Sequence, residues 1–326
     1  MKAMILAAGL GTRLRPLTDT HPKALVEING RTLLEITLSR LRSFGINEVI
    51  VNVHHLADMV VDYLKSHDNF GMRIEVSRED DLLLDTGGGL KKASWFFLEH
   101  HRSPAAQGAI RGALRPSLPQ PEKDKRGGVI PSLPAEEGAA WDKLLPRQGT
   151  ALAVPERDQD QRALAPEASD QREEPFLLHN VDVITSIDFR RMLQFHNEHH
   201  ALATLGVQSR PSSRLLLFND QLQLVGRAVT GSAPSDLTSA PHSSHSLLTT
   251  HYPLLPLAFS GIHIISRRLL TMLTEEGAFS IIDAYLRLAA QGEKILAFRA
   301  DDYYWRDLGR PADLSQAAID LKKGML

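Results

Sequence analysis

Strand-like and helix-like segments alternate almost from the first residue of this chain, and that rhythm constrains the fold more than any other feature. Lys2–Leu6 is a short apolar run that feeds Ala7-Ala8-Gly9-Leu10-Gly11, a stretch too irregular for helix or strand and read as a glycine loop. Thr32–Phe44 carries Leu33, Leu34, Ile36, Leu38, Leu41 and Phe44 at helical spacing and stops at Gly45, so a helix is expected there. Glu48–Val53 reads as a strand, Ala57–Ser66 as a helix and Met72–Ser77 as a strand. A strand–helix alternation of this kind predicts an α/β fold with a mostly parallel central sheet covered by helices on both faces. Ligands of such sheets sit where loops leave the carboxyl ends of the strands. The loops after Leu6, around Gly87 and after Leu178 are therefore the places to look for function.

The alternation breaks between about 100 and 175, where ten of the eighteen prolines fall and no hydrophobic period is sustained. This segment is read as a mobile insertion, because it buries too little apolar surface to offset the entropy of ordering. A Ser/Thr/His-rich patch at about 231–251 is read as a second, shorter loop. Elsewhere the pattern resumes, with strands at Phe176–Leu178, Ala201–Val207, Leu257–Ile265 and Ile295–Arg299. Helices are expected at Leu90–Leu98, Ile187–Glu198, Ser280–Ala290 and Pro311–Lys322. The whole chain, 1–326, is expected to form one domain, with no hexapeptide repeat after the last helix.

Composition removes several chemistries. There is no cysteine, so a disulfide framework, an iron–sulfur cluster, a thiolate zinc site and a thiol nucleophile are all excluded. Any nucleophile is oxygen or nitrogen, or belongs to the substrate. Lys plus Arg (37) nearly balances Asp plus Glu (39), which gives no reason to expect nucleic acid as a partner. No apolar run is long enough to span a bilayer and no cleavage pattern precedes Arg13, so the chain is expected to be cytoplasmic, without a membrane partner. Oligomeric state is not legible.

Residue by residue, the first loop is the most informative. Gly9-x-Gly11 does not complete the dinucleotide fingerprint, since position 14 is Leu, and no Gly-Lys-Ser/Thr follows. It does supply a side-chain-free backbone beside Arg13, Arg15 and Lys23, which suits a polyphosphate, although tight-turn glycines and solvated arginines would look the same. Asp182 ends a strand, where a functional carboxylate and a helix cap are equally natural. Asp307 lies in an apolar context between Trp305 and Leu308, where a carboxylate calls for a metal or an arginine. His196-Asn-Glu-His199-His200 misses the His-Glu-x-x-His spacing and is read as an exposed helix end.

The longer spelling Leu6-Ala-Ala-Gly-Leu-Gly-Thr-Arg-Leu-Arg-Pro-Leu-Thr18, followed by Pro22-Lys-Ala-Leu25, resembles the signature of the sugar-phosphate nucleotidylyltransferases. The likeness continues at Asp85-Thr-Gly-Gly-Gly89, Asn180-Val-Asp182, Phe259-Ser-Gly261 and Trp305-Arg-Asp-Leu-Gly309. The triple glycine is most similar to N-acetylmuramate 1-phosphate uridylyltransferases and mannose- or heptose-phosphate guanylyltransferases. The resemblance implies a three-layer Rossmann-like nucleotidyltransferase fold. It also implies transfer of a nucleoside monophosphate, UMP first, from a triphosphate to a sugar 1-phosphate with release of pyrophosphate. UTP is the favoured donor and GTP the second.

It further implies catalytic roles for Arg13 on the leaving pyrophosphate, Lys23 on the α-phosphate, and Asp182 and Asp307 as ligands of Mg²⁺, a hard ion that prefers oxygen. Ala8, Gly9, Gly11, Thr12, Thr86, Gly87 and Gly88 are expected around the nucleotide, the glycines of the second loop leaving room for a ring. Asn180 and Gly261 are expected near the sugar. Two departures stand out. Val181 occupies the middle of Asn-x-Asp, where Gly is common, and the Glu-Lys-Pro lysine that binds the sugar phosphate is missing, so Arg214 is the candidate replacement. These departures keep open an alternative, a catalytically silent nucleotide- or sugar-nucleotide-binding regulator of the same fold.

Overall fold

A computed structural model describes residues 1–98, 174–229 and 254–325. The expected insertion therefore lies outside the described residues, except for 174 and 175, and so does the Ser/Thr/His-rich loop.

The sheet begins with β1 (Ala3–Leu6), whose alternate side chains face opposite ways: Ala3 and Ile5 enter one core layer and Met4 the other. A loop containing α1 (Leu17–Thr20) and the small hairpin β2 (Glu27–Ile28) and β3 (Arg31–Thr32) leads to α2 (Leu33–Ser43). Thr32 caps this helix by accepting from the Glu35 N–H at 3.0 Å, and Gly45 ends it with φ +79°. Next come β4 (Glu48–Val53), α3 (Ala57–Ser66) and β5 (Arg73–Arg78). In place of the single helix expected over Leu90–Leu98 there are two, α4 (Asp85–Lys92), which starts earlier, and α5 (Trp95–Leu98), with the break at Ala93 and Ser94.

After the undescribed segment, β6 (Phe176–Asn180) returns beside β1, followed by β7 (Val183–Thr185) and α6 (Phe189–Glu198), capped by Asp188. The remaining elements are β8 (Ala203–Gln208), β9 (Arg214–Phe218), β10 (Leu224–Val229), β11 (Leu255–Ile265), α7 (Arg268–Thr271), α8 (Ile281–Ala290), β12 (Ile295–Arg299), β13 (Trp305–Asp307) and α9 (Pro311–Lys322).

The sheet order is β10-β9-β11-β6-β1-β4-β5, with β8 between β11 and β12. The strands β5, β4, β1 and β6 run parallel, as the alternation requires, and β11 joins β6 antiparallel. Two core layers cover the sheet, one including residues of α2, α3, α6 and α9, the other residues of α4, α5 and α8. A separate two-stranded ladder, β13 antiparallel to β7, lies beyond the end of β6 and sets up the site.

One sequence expectation is corrected here. His196 is not part of an exposed helix end: it is 2% exposed, with Nδ1 2.9 Å from Thr204 Oγ1 and Nε2 3.0 Å from Ser266 Oγ. It faces inward because it shares the buried face of α6 with Phe189 and Met192. Burial lowers its pKa to about 4. His199 and His200 are exposed, as expected, and no metal-holding cluster of His, Asp and Glu occurs among the described residues.

Candidate active site

The loop after β1 is anchored at both ends and open between them. At its start, the Ala7 N–H donates to Asn52 Oδ1 at 2.8 Å, and Ala7 and Ala8 are buried. Gly9 and Leu10 are exposed, and a Cβ built on Gly9 would meet nothing within 4 Å. Gly11 turns the chain with φ +64°. A side chain there would strike Thr18 Cγ2 at 2.8 Å, and Thr18 Oγ1 donates to the Gly11 carbonyl at 2.8 Å. Leu14 is then buried while Thr12, Arg13 and Arg15 remain on the surface, Arg15 paired to Asp19.

The two signature cations each meet one of the expected carboxylates. Lys23 is not a solvated lysine: its side chain is only 9% exposed, and its Nζ forms an ion pair with Asp182 Oδ2. Arg13 Nη2 lies 3.7 Å from Asp307 Oδ1. The main chain that carries them is joined by the β7–β13 ladder, in which Asp307 is the partner of Val183 and the Leu308 N–H donates to the Asp182 carbonyl at 2.8 Å. Gly309 explains the last glycine of its motif: a Cβ there would sit 2.4 Å from Arg13 Nη2, so the guanidinium rests on bare backbone. The Gly309 N–H also donates to Asp307 Oδ1 at 2.6 Å.

The donor set suits a hard divalent cation. Asp182 lies in the turn between β6 and β7 and Asp307 on β13 across the ladder, and the hydrogen bonds and ion pairs found use Oδ2 of Asp182 and Oδ1 of Asp307, leaving one oxygen of each for a metal.

Asn180 ends β6 beside Gly261 of β11. With φ +74°, Gly261 is left-handed, and a side chain on it would come within 2.8 Å of Asn180 Nδ2. Val181 packs at 3% exposure in the core and is absent from the positive-φ residues, so this position makes no use of glycine's freedom. His179, just before, is fully buried, bonds the Asn180 carbonyl through Nδ1 at 2.8 Å, and has its pKa lowered to about 4, chiefly by burial.

The second glycine run differs from its expectation. Gly87, Gly88 and Gly89 lie within α4 and are buried. Cβ atoms on them would meet the Phe279 ring at 2.2 Å, the Gly277 carbonyl at 2.4 Å and Glu79 Oε1 at 2.7 Å. The room expected for a ligand ring is taken by the protein's own atoms. The Thr86 hydroxyl likewise serves the fold, accepting the Ile281 N–H at 3.0 Å. Arg214, the candidate for the sugar phosphate, opens β9, exposed, with its backbone N–H donating to Ser212 Oγ.

Two features escaped the sequence reading. Asn52 (2% exposed) and Glu79 (1%) form a buried link between the two glycine regions. Asn52 accepts from Ala7 and donates to Glu79 Oε1 at 2.7 Å, while Glu79 Oε2 accepts the Leu84 N–H at 2.9 Å. A polar residue inside the apolar run of β4 was the available signal. The other is Arg210, whose guanidinium lies 3.6 Å from the centre of the Trp305 ring.

With this geometry in place, comparison with known proteins finds likeness in the first part of the chain. Residues 2–107 match the nucleotidyl transferase family. An N-acetylmuramate α-1-phosphate uridylyltransferase of Caulobacter vibrioides is 48% identical over 93 residues, 28% of this chain and 38% of that protein. A choline-phosphate cytidylyltransferase of Streptococcus pneumoniae is 50% identical over 74 residues, 23% of this chain and 31% of that one. The matched segment thus spans about a third of these curated relatives. A solved UDP-glucose pyrophosphorylase, complexed with UDP-glucose, aligns over 99% of this chain and 98% of its own with a TM-score of 0.59 at 15% identity. The nucleotidyltransferase fold therefore extends beyond the matched segment. Among the described residues no helix is long and apolar enough to cross a membrane.

Proposed function

We propose that the chain is a sugar-1-phosphate nucleotidylyltransferase that transfers a nucleoside monophosphate, UMP first, from a nucleoside triphosphate to a sugar 1-phosphate. The observation that carries this reading is the pairing of each signature cation with one of two aspartates whose main chains adjoin across the β7–β13 ladder. An oxygen of the sugar phosphate attacks the α-phosphorus, the bond from that phosphorus to the bridging oxygen breaks, and pyrophosphate leaves. No protein nucleophile is needed, which fits a chain without cysteine.

The residues then act by alignment and charge neutralisation. The open backbone at Gly9 admits the phosphates. Arg13, seated on Gly309, offers its guanidinium fork to the departing pyrophosphate, and Lys23 presents its ammonium to the α-phosphate. Asp182 and Asp307 would hold Mg²⁺, which when bound supplies positive charge against the phosphoryl oxygens. Asn180, beside Gly261, faces the sugar.

The preference for uridine rests on the likeness to the Caulobacter protein, with guanosine second. The competing reading, a silent binding regulator, drew on Val181 and on the missing Glu-Lys-Pro lysine; the Val181 side chain packs in the core at a position without positive φ, which speaks against the first of these. Pyrophosphate release measured across UTP, GTP and CTP with a panel of sugar 1-phosphates, with Mg²⁺ and with chelator, tests the proposal. Turnover highest with UTP and lost with chelator is expected. Nucleotide binding without turnover of any pair would favour the regulator.

A further inference from the structure

Asp307 is bracketed by two arginines, and only one of them has been given a task. Trp305 and Asp307 lie two residues apart on β13, so their side chains leave the same face of the strand. Arg13 reaches Asp307 from the Gly309 end. Arg210, from the connection between β8 and β9, covers the Trp305 end, its guanidinium stacked on the indole at 3.6 Å.

Arg210 is held in place from several directions. Its Nη2 donates to the Phe259 carbonyl at 2.8 Å, and Trp305 Nε1 donates to the Ser260 carbonyl at 2.8 Å. Both carbonyls belong to the part of β11 where the register with β8 shifts between Phe259 and His263, an irregularity that frees them from the ladder. The next residue, Gly261, packs on Asn180. One bulge therefore positions Arg210, Trp305 and Asn180 together.

The arginine is nevertheless unsatisfied. Its Nε is buried without a hydrogen-bond partner, and no carboxylate lies within 4 Å of its guanidinium among the described residues. Burial lowers its pKa while Asp307 opposes that shift, which places its charge in the field of the site. A planar cation fixed on an aromatic ring, short of acceptors and next to the reacting region, suits a tetrahedral oxyanion.

We propose that Arg210 binds the phosphate of the acceptor sugar 1-phosphate, the task that the sequence had suggested for Arg214. The assignment rests on the transferase reading above. In-line displacement places the incoming phosphate opposite the departing pyrophosphate, and the two arginines lie at opposite ends of β13, Arg210 on Trp305 and Arg13 beside Asp307.

Initial rates measured while each substrate is varied, using the nucleotide and sugar 1-phosphate pair that wild type turns over fastest, test the assignment. Arg210→Gln is expected to raise the acceptor KM about ten- to a hundredfold, as for loss of charge-assisted hydrogen bonds, with the nucleotide KM and the melting temperature unchanged. Arg214→Gln is expected to leave the acceptor KM within about twofold of wild type. If Gln lowers the melting temperature, Arg210→Lys decides: a rise of about fivefold or more in acceptor KM is expected, because an ammonium lacks the fork, and no rise overturns the assignment. An unchanged acceptor KM in Arg210→Gln, or a rise confined to the nucleotide KM or to Arg214→Gln, also overturns it while leaving the transferase reading intact. Wild-type protein that turns over no pair overturns that reading and this assignment with it.

Discussion

A methyl group added at Gly9 would meet nothing within 4 Å, whereas one added at Gly88 would lie 2.4 Å from the backbone carbonyl oxygen of Gly277. Both glycines belong to motifs that look alike in one dimension, each read from sequence as room for a ligand. In three dimensions the first loop keeps its backbone clear on the solvent side, and the second is a packing surface on which the 277–281 segment and α8 rest. Space left by glycine can be offered to a substrate or consumed by the protein, and the neighbouring atoms decide which. The buried Asn52–Glu79 link joins the two regions, so the open loop is braced by the closed one.

Substitutions with opposite readouts sharpen this contrast. Gly88→Ala forces its methyl against main chain that cannot rotate away, and is expected to cost about 3 kcal/mol, a drop of roughly 6–12 °C in melting temperature. A melting curve within 1 °C of wild type, about the resolution of a cooperative transition, would remove the packing role. Gly9→Ala is expected to leave the melting temperature unchanged and to raise the nucleotide KM about tenfold, because the methyl group intrudes where phosphate approaches the backbone. An unaltered nucleotide KM would show that the open loop is not the phosphate cradle.

A further effect concerns acid, and it reaches buried histidines rather than the open loop. His263 is buried and hydrogen-bonded to Tyr285 of α8, the helix whose start bonds Thr86, and burial lowers its pKa to about 3. His196 is lowered to about 4 for the same reason. Above pH 6.5 neither residue binds a proton in either state, so stability does not depend on them. As pH falls below 6.5 the unfolded chain takes up protons that the native state refuses, so stability declines until the folded values are reached. Each histidine contributes a slope of about 1.4 kcal/mol per pH unit in that window. Denaturant melts between pH 7 and 4.5 should show the decline, shallower in His196→Gln by about one proton. An identical slope in that variant would mean that His196 is protonated in the folded protein.

Much of the fold was legible because regular elements advertise themselves through hydrophobic period. The strands Glu48–Val53 and Ile295–Arg299 and the helices Ala57–Ser66 and Pro311–Lys322 have the bounds read from the sequence. The β7–β13 ladder was not legible as a pair, since three residues on each side give no period and their pairing is set by tertiary contact. The resemblance named Asp182, Asp307, Arg13 and Lys23, and in the structure Lys23 pairs with Asp182 and Arg13 lies beside Asp307. It did not reveal that Lys23 is buried, nor that Arg210 rather than Arg214 lies against β13. Stacking on Trp305 depends on a bulge in β11, which local sequence does not encode. His196 was misjudged because its exposed neighbours His199 and His200 concealed its place on the inward face of α6.

The proposal that Asp182 and Asp307 share one ion carries the rest. Pyrophosphate release under saturating triphosphate and sugar 1-phosphate with Mg²⁺, compared among wild type, Asp182→Asn and Asp307→Asn, tests it most directly. Each single variant is expected to fold like wild type and to lose about a hundredfold or more in kcat, with the double variant little worse than either, as for two ligands of one ion. Wild-type rates in either folded variant would contradict a shared catalytic site.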